Sequence, residues 1–220
     1  MKYYWINLDN AEDRRKKILK EFEDNNVEHY RVNAYKGNDN KWAREMACVR
    51  SHIQAMFHFV MDTNDDIALI CEDDLTFDFK PYWKDTVENV FKNSPTDCGV
   101  LQLACIFQQP EKRFGPREKY FRYKDDATSS CMAYVINRKC AQQLLNYYVN
   151  NKTDIRVADC FRNGIYPTVD RKTDFFSYTY KYPMFVWRDN NDTQIGNSMA
   201  LHDAAKRHIR TYLIRHKNDN

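Results

Sequence analysis

The sequence predicts an α/β architecture, a mostly parallel central sheet flanked by helices, and three observations carry that expectation. Dense apolar runs rich in aromatic and β-branched residues recur at Tyr3 to Leu8, His29 to Ala34, Ile67 to Cys71, Gly99 to Cys105 and Ser130 to Ile136. Between them lie stretches whose apolar residues follow helical spacing. With 43% hydrophobic and 15% aromatic residues and only five glycines in 220, the chain can fill a sizeable core and is not dominated by loops. Strands alternating with helices over the first two thirds imply parallel strands covered on both faces.

Taken in order, Tyr3 to Leu8 reads as a buried strand, and Asp9 and Asn10 stand where they can cap a helix beginning near Ala11. That helix carries Ile18, Leu19 and Phe22 on one face. His29 to Ala34 is the second strand. A polar loop to Lys41 leads into a long helix through Ile53, Met56, Phe57 and Val60, which ends near Asp62 to Asp65, and Ile67 to Cys71 is the third strand. Pro81 suits the first turn of a helix containing Trp83, Val87, Val90 and Phe91. Gly99 to Cys105 is the next strand, Gln108 to Asp126 a polar, basic loop, and Ser130 to Ile136 a strand feeding a helix with Ala141, Leu144 and Leu145. Short strands around Phe175 to Val186 and a helix after Leu201 complete the chain. Right-handed crossovers place every strand's C-terminal end at one edge, where open α/β sheets bind ligands. No low-complexity linker divides the chain, so a single domain spanning 1–220 is expected.

Composition narrows the function classes. Thirty-four Lys and Arg against 31 Asp and Glu give a formal charge of +3, and the two signs are interleaved, so no nucleic acid partner is expected. No apolar run approaches the roughly 18 residues that span a bilayer. Met1 leads straight into KYYWINL, with neither signal peptide nor transmembrane helix, which points to the cytoplasm. The seven cysteines form no C-x-x-C pair, and Cys71, Cys105 and Cys131 sit inside apolar runs. They read as reduced, intracellular thiols.

Chemistry enters at IALICEDDLTF, Ile67 to Phe77. Three adjacent carboxylates, Glu72, Asp73 and Asp74, close a strand that is otherwise apolar. One explanation is an acidic, solvated strand end. The other is a cation, because like charges 4 Å apart repel by about 1 kcal/mol in water and about 4 kcal/mol at an effective dielectric of 20. Side chains alternate along an extended chain, so Glu72 and Asp74 face one side and Asp73 the other, where it meets a ribose or the protein. The pair spaced by two can hold a hard divalent ion that keeps positions open for phosphate oxygens, as the D-x-D element of nucleotide-sugar transferases does.

The ordered set YWINLDNAEDRR, REMACVRSHIQAM, ALICEDDLTF, SSCMAYVINRKCAQQLL and IRVADCF resembles glycosyltransferase family 25, whose members include lipooligosaccharide and collagen galactosyltransferases. The resemblance runs from Tyr3 to about Phe161, with a fainter echo in YPMFVWRDNNDTQIGNS, where Gln194 and Ser198 match. Ala47 stands where the family's E-x-G-C-x-x-S-H pattern has glycine. What this implies is a GT-A-like, Rossmann-like fold, a UDP-hexose donor such as UDP-galactose or UDP-glucose, Mn2+ or Mg2+, and inversion at the anomeric carbon. It also implies a hydroxyl acceptor on a glycan, a glycolipid such as a lipid-linked oligosaccharide, or a protein.

By the same resemblance Asn7, Leu8 and Arg14 frame the nucleotide pocket, with Arg15 beside them, and Ser51 and His52 contact donor or acceptor. The alternatives are a solvated helix face for Arg14 and Arg15, and an internally satisfied histidine for His52. Ser51 and His52 are adjacent on a helix, about 100° apart, and so cannot act as nucleophile and base. Asp159 in IRVADCF is the expected general base or acceptor anchor, with Asp170 and Asp174 as competitors, and His202 is either a further metal ligand, as a late histidine is in some other GT-A enzymes, or a structural or exposed histidine. In AAKRHIRTYLIRHK the residues Ile209, Tyr212 and Leu213 share a face. That basic amphipathic helix either touches an anionic membrane peripherally or packs on its own domain. A metal-dependent phosphohydrolase or nuclease, and a non-catalytic sugar- or nucleotide-binding relative, are the competing readings of the chain.

Overall fold

The computed structural model describes residues 1–38, 40–106, 118–122, 130–152, 154–156, 158, 164–188 and 199–217. Its elements are β1 (Tyr3–Asn7), α1 (Glu12–Asp24), β2 (His29–Asn33), α2 (Lys41–Asp62), β3 (Ile67–Glu72), β4 (Leu75–Thr76), a 3-10 turn (Lys80–Tyr82), α3 (Val87–Lys92), β5 (Cys98–Gln102), β6 (Tyr120–Arg122) and β7 (Ala133–Asn137). They continue as α4 (Arg138–Asn150), α5 (Ile165–Lys172), β8 (Phe176–Tyr180), β9 (Val186–Trp187) and α6 (Met199–Arg215). Among the described residues no helix is long and apolar enough to cross a membrane.

Seven strands form one mixed, mostly parallel sheet in the order β2-β1-β3-β7-β5-β8-β6, while β4 and β9 pair apart from it. β2, β1, β3, β5 and β8 share one direction, and β7 and β6 oppose it. The expectation that every strand's C-terminal end meets one edge therefore holds for five strands and fails for two. Ala133 lies opposite Cys71 and Asn137 opposite Ile67, so β7 begins where β3 ends. Strand β6 falls in a stretch read from sequence as loop, and its short, half-exposed YFR carries little of the periodicity that announces a strand.

Alternation along β1 explains how the layers are held. Tyr3 and Trp5 point into the core with Ile18 and Phe22 of α1, whereas Tyr4 and Ile6 point into the core with Val49, Ile53, Met56 and Phe59 of α2. Burying each such side chain contributes about 1.5–3 kcal/mol. On the first face α6 adds Ala205, Ile209, Tyr212 and Leu213, so its apolar stripe is spent on its own domain. Leu19 and Phe57 depart from expectation, being 38% and 52% exposed. The capping expectation fails as well: Ala11 occupies the N-cap of α1 with no side-chain bond, because the Asp9 carboxylate is engaged by Arg31 at 2.6 Å and Asn33 at 2.8 Å. The helix expected from Pro81 onward is a 3-10 turn and a separate α3, capped by Thr86, whose hydroxyl accepts from the Asn89 N–H. Helix α5 went unread because Pro167 interrupts its pattern, although proline is tolerated in a first turn.

Gly99 marks the tightest packing within β5, beside a shift of register between Cys98 and Val100. A Cβ there would lie 2.5 Å from Phe175 Cβ and 2.7 Å from Cys140 Sγ. Gly99→Ala is expected to lower stability by about 1–3 kcal/mol, read as a lower urea midpoint at unchanged slope.

Candidate active site at the end of strand β3

Strand β3 ends at Glu72 because the sheet holds it there from both sides, Cys71 facing Trp5 of β1 and Ala133 of β7, with the Glu72 N–H donating to Met132 O at 2.9 Å. Asp73 and Asp74 then form a turn, and β4 clips it to β9 through the pairs Leu75–Trp187 and Thr76–Val186. The Arg188 N–H donates to the Asp74 carbonyl at 2.6 Å. Both flanks of the acidic triplet are thus fixed by backbone, and its side chains cannot relax apart by unravelling the turn.

Each carboxylate meets a different environment. Glu72 leans toward α2, where its Oε1 lies 3.3 Å from His52 Nε2 and 3.8 Å from Cys48 Sγ. Burial pushes the Glu72 carboxyl up, but the His52 bond and charge, with Arg14 and Cys48 adding to them, prevail and hold it below its ordinary value. Asp73 turns the other way, accepting from Asn7 Nδ2 at 2.7 Å and from Arg14. Its carboxyl is nevertheless raised, since burial and the Glu72 charge outweigh those two partners. Asp74 Oδ1 is buried without a hydrogen-bond partner. Burial first and the neighbouring Glu72 second push the Asp74 carboxyl up to about 7.

Opposite the triplet, the turn after β1 is a closed set of polar bonds. Asn7 is 1% exposed, and its Oδ1 accepts from Arg15 Nε at 3.0 Å and Arg31 Nε at 3.1 Å. Arg15 also donates to the carbonyls of Leu8 at 3.4 Å and Asp9 at 2.6 Å, so it clamps the turn rather than facing solvent. Leu8 contributes a carbonyl, which also accepts from the Ala11 N–H at 3.0 Å. Arg14 leaves this set to pair with Asp73. Burial works against its charge, and Asp73, Asp74 and Glu72 together outweigh burial and raise its pKa. Arg14 Nε, Trp187 Nε1 and Arg188 Nη1 are buried without partners, so three donors and one acceptor, Asp74 Oδ1, remain unmatched around a single turn. Such orphans cost about 1–3 kcal/mol each and mark places where polar ligands bind.

The other expected residues divide. Ser51 is buried, its hydroxyl accepting from the Tyr35 N–H at 2.9 Å and donating to Ala47 O at 2.8 Å; it pins the loop after β2 to α2. His52 is fully buried, with Nδ1 3.1 Å from the Tyr134 hydroxyl, and it buttresses Glu72 from behind. His202 stands edge-on to Trp187 at 5.3 Å, and burial lowers its pKa, opposed by Asp203. Asp170 accepts from the Ser177 N–H and Asp174 from the side-chain amide Nε2 of Gln143, each at 2.7 Å. Both sit by the start of β8, at the sheet edge away from Glu72, because β8 runs parallel to β5. Asp159, Gln194 and Ser198 lie outside the described residues. Ala158, described, accepts a bond at its carbonyl from Cys131 Sγ, immediately before β7.

Sequence reasoning passed over Cys48, Tyr134 and the Trp187–Arg188 pair. Only the first had a readable signal, a Cys and a His four apart on one helix face. Among the described residues, Cys48, His52 and Glu72 are the only His, Cys, Asp or Glu group with donor atoms gathered closely enough to share a metal ion.

The Arg14–Asp73 pair is testable. Its side chains are 20% and 7% accessible, so Arg14→Met strands a buried carboxylate and is expected to cost roughly 3 kcal/mol. Adding Asp73→Asn should restore part of that loss, a coupling seen by chemical denaturation of the double-mutant cycle.

The sequence model of glycosyltransferase family 25 (LPS biosynthesis protein) matches residues 43–161, a stretch that contains the acidic triplet. No curated protein matches the chain. Among solved structures, a Drosophila beta-1,4-galactosyltransferase 7 mutant in complex with manganese, UDP-Gal and xylobiose is similar at 10% identity, over 65% of this chain and 51% of that one, with a TM-score of 0.36. A glycosyltransferase involved in glycosylation of the major capsid of PBCV-1 is similar at 11% identity, over 96% and 98% of the two chains, with a TM-score of 0.48. Galactosyltransferase LgtC in complex with donor and acceptor sugar analogs is similar at 10% identity, over 97% and 95%, with a TM-score of 0.41. The chain spans about half the length of the Drosophila chain.

Proposed function

The chain belongs to glycosyltransferase family 25 and is a glycosyltransferase, and we propose that it moves a hexose, galactose or glucose, from a UDP-sugar to an acceptor hydroxyl with inversion and with the help of a divalent cation. The observation that carries this reading is Asp74 Oδ1, buried and unpartnered next to Glu72 on a turn that backbone bonds fix on both flanks. Two carboxylates two positions apart at one strand end favour a hard cation such as Mn2+ or Mg2+. A cation held by Glu72 and Asp74 would supply positive charge against that of the departing diphosphate.

The chain's own residues divide the remaining work. Glu72 and Asp74 would hold the cation, and His202, beside Trp187, is proposed as a third ligand that moves in on binding, since the donor atoms of these three are not gathered within 4.8 Å of one another in this structure. Asp73 fixes Arg14, whose buried, unpartnered Nε is a donor that a phosphate oxygen would satisfy. Asn7 and Leu8 shape the floor of the nucleotide pocket, and Ser51 and His52 support it from α2. Asp159 takes the proton of the attacking hydroxyl or anchors that hydroxyl, an assignment that rests on the family resemblance of IRVADCF. The acceptor is a glycan, a glycolipid or a protein hydroxyl. Since the apolar face of α6 is buried, peripheral contact with an anionic membrane would fall to its exposed Arg207 and Arg210 and to Lys217 just beyond it.

Two experiments test this reading. Thermal stability and UDP release are measured across a panel of UDP-sugars with and without Mn2+, with stabilisation expected only when both are present; none from any donor sinks the proposal. Asp74→Asn is expected to raise the stability of the metal-free protein by about 1–3 kcal/mol, since it replaces a buried unpaired carboxylate, while abolishing the Mn2+-dependent response. Asp159→Asn should instead keep the donor-plus-metal response and lose turnover by roughly 10²–10⁴-fold.

A further inference from the structure

We infer that Cys48, His52 and Glu72 form a second cation site, selective for a thiophilic divalent ion of the zinc class. Cys48 and His52 are one turn apart on α2 and project from the same face. Both reach the same oxygen at the end of β3, Glu72 Oε1, at 3.8 Å from Sγ and 3.3 Å from Nε2. All three donor atoms lie within 4.8 Å of one another. Tetrahedral zinc, with bonds of about 2.0–2.3 Å, separates its donors by roughly 3.4–3.6 Å. Small side-chain rotations are enough to close the site.

Orientation and chemistry agree with that geometry. The Tyr134 hydroxyl contacts His52 Nδ1 at 3.1 Å and the two rings stack at 5.7 Å, which fixes the imidazole with Nε2 toward Glu72, as an outer partner does for a metal-bound histidine. One sulfur, one imidazole nitrogen and one carboxylate oxygen make a soft, mixed set suited to zinc and cobalt, whereas Mg2+ selects oxygen. Three protein donors leave a fourth position for water or a ligand. An ion has a route in, because the Glu72 side chain is 30% accessible and Cys48 is half-buried while the other described cysteines are buried. On binding, the Cys48 thiol gives its proton to solvent as the sulfur–metal bond forms.

Glu72 belongs to both sites. A zinc ion held against α2 turns its carboxylate away from Asp74, so zinc should oppose the cation that supports donor binding. The zinc site stands without the preceding functional reading; this antagonism rests on it.

Cobalt(II) titration of the intact protein provides the test. The expected result is a thiolate-to-cobalt charge-transfer band with intense visible bands, bleached by added zinc. Cys48→Ala, checked for folding by its thermal transition, should lose the charge-transfer band and bind zinc about tenfold or more weakly. In the wild type, zinc should raise the Mn2+ concentration needed for stabilisation by a UDP-sugar, and in Cys48→Ala it should not. Absence of the band in the wild type, or its persistence in Cys48→Ala, overturns the site. A Cys48-dependent band in a protein that shows no Mn2+ and UDP-sugar response supports the site and refutes the hexosyltransfer reading alone.

Discussion

Three carboxylates in consecutive positions at the end of an apolar strand must be kept together against their own repulsion, and much of the surrounding architecture answers that requirement. At an effective dielectric of 20, each close pair costs about 4 kcal/mol. Glu72, the last residue of β3, is received by His52 of α2, and Asp73, in the turn that follows, by Arg14 of α1. Asp74 has neither partner. The cost left on Asp74 is carried by the backbone clip of β4 and β9 and by cores on both faces of the sheet.

The two receiving helices do not do equivalent work. Arg14 is itself held beside a turn whose polar groups are saturated, with Asn7 Oδ1 taken by Arg15 and Arg31, so the positive charge sits on a rigid base. His52 is enclosed by Tyr134 and carries Glu72 at one end of a chain of polar contacts through the core. Rigid supports of this kind let a site keep unmatched polar atoms, because nothing nearby can move to satisfy them.

The parts of this arrangement legible in the sequence were those written in local pattern. Apolar runs located β1, β2, β3, β5 and β7, and helical spacing located α1, α2, α4 and α6, because each buries a continuous face. The alternation expected of Glu72, Asp73 and Asp74 presumes an extended chain, whereas β3 ends at Glu72 and the two aspartates lie in a turn. Strand direction was not legible: nothing in SCMAYVI says that β7 runs against its neighbours, since a buried strand is apolar on both faces either way. Nor could sequence separate Arg15 from a solvated arginine, because its partners are carbonyls exposed only by the turn. Leu19 and Phe57 show the reverse error, apolar residues on the rim of a helical face left outside the core. The Cys48–His52–Glu72 grouping needed both the helix register and the strand end, which only the fold brings together.

The clip between β4 and β9 has a consequence in time. Leu75 pairs with Trp187, and Asp74 with Arg188 through a backbone bond, so residues more than half the chain apart meet at the acidic turn. During synthesis the carboxylates emerge long before the strand that braces them, and closing so long a loop is slow. A nascent chain can build β1, α1, β2, α2 and β3 and still lack a fixed turn, and so the site takes shape among the last events of folding.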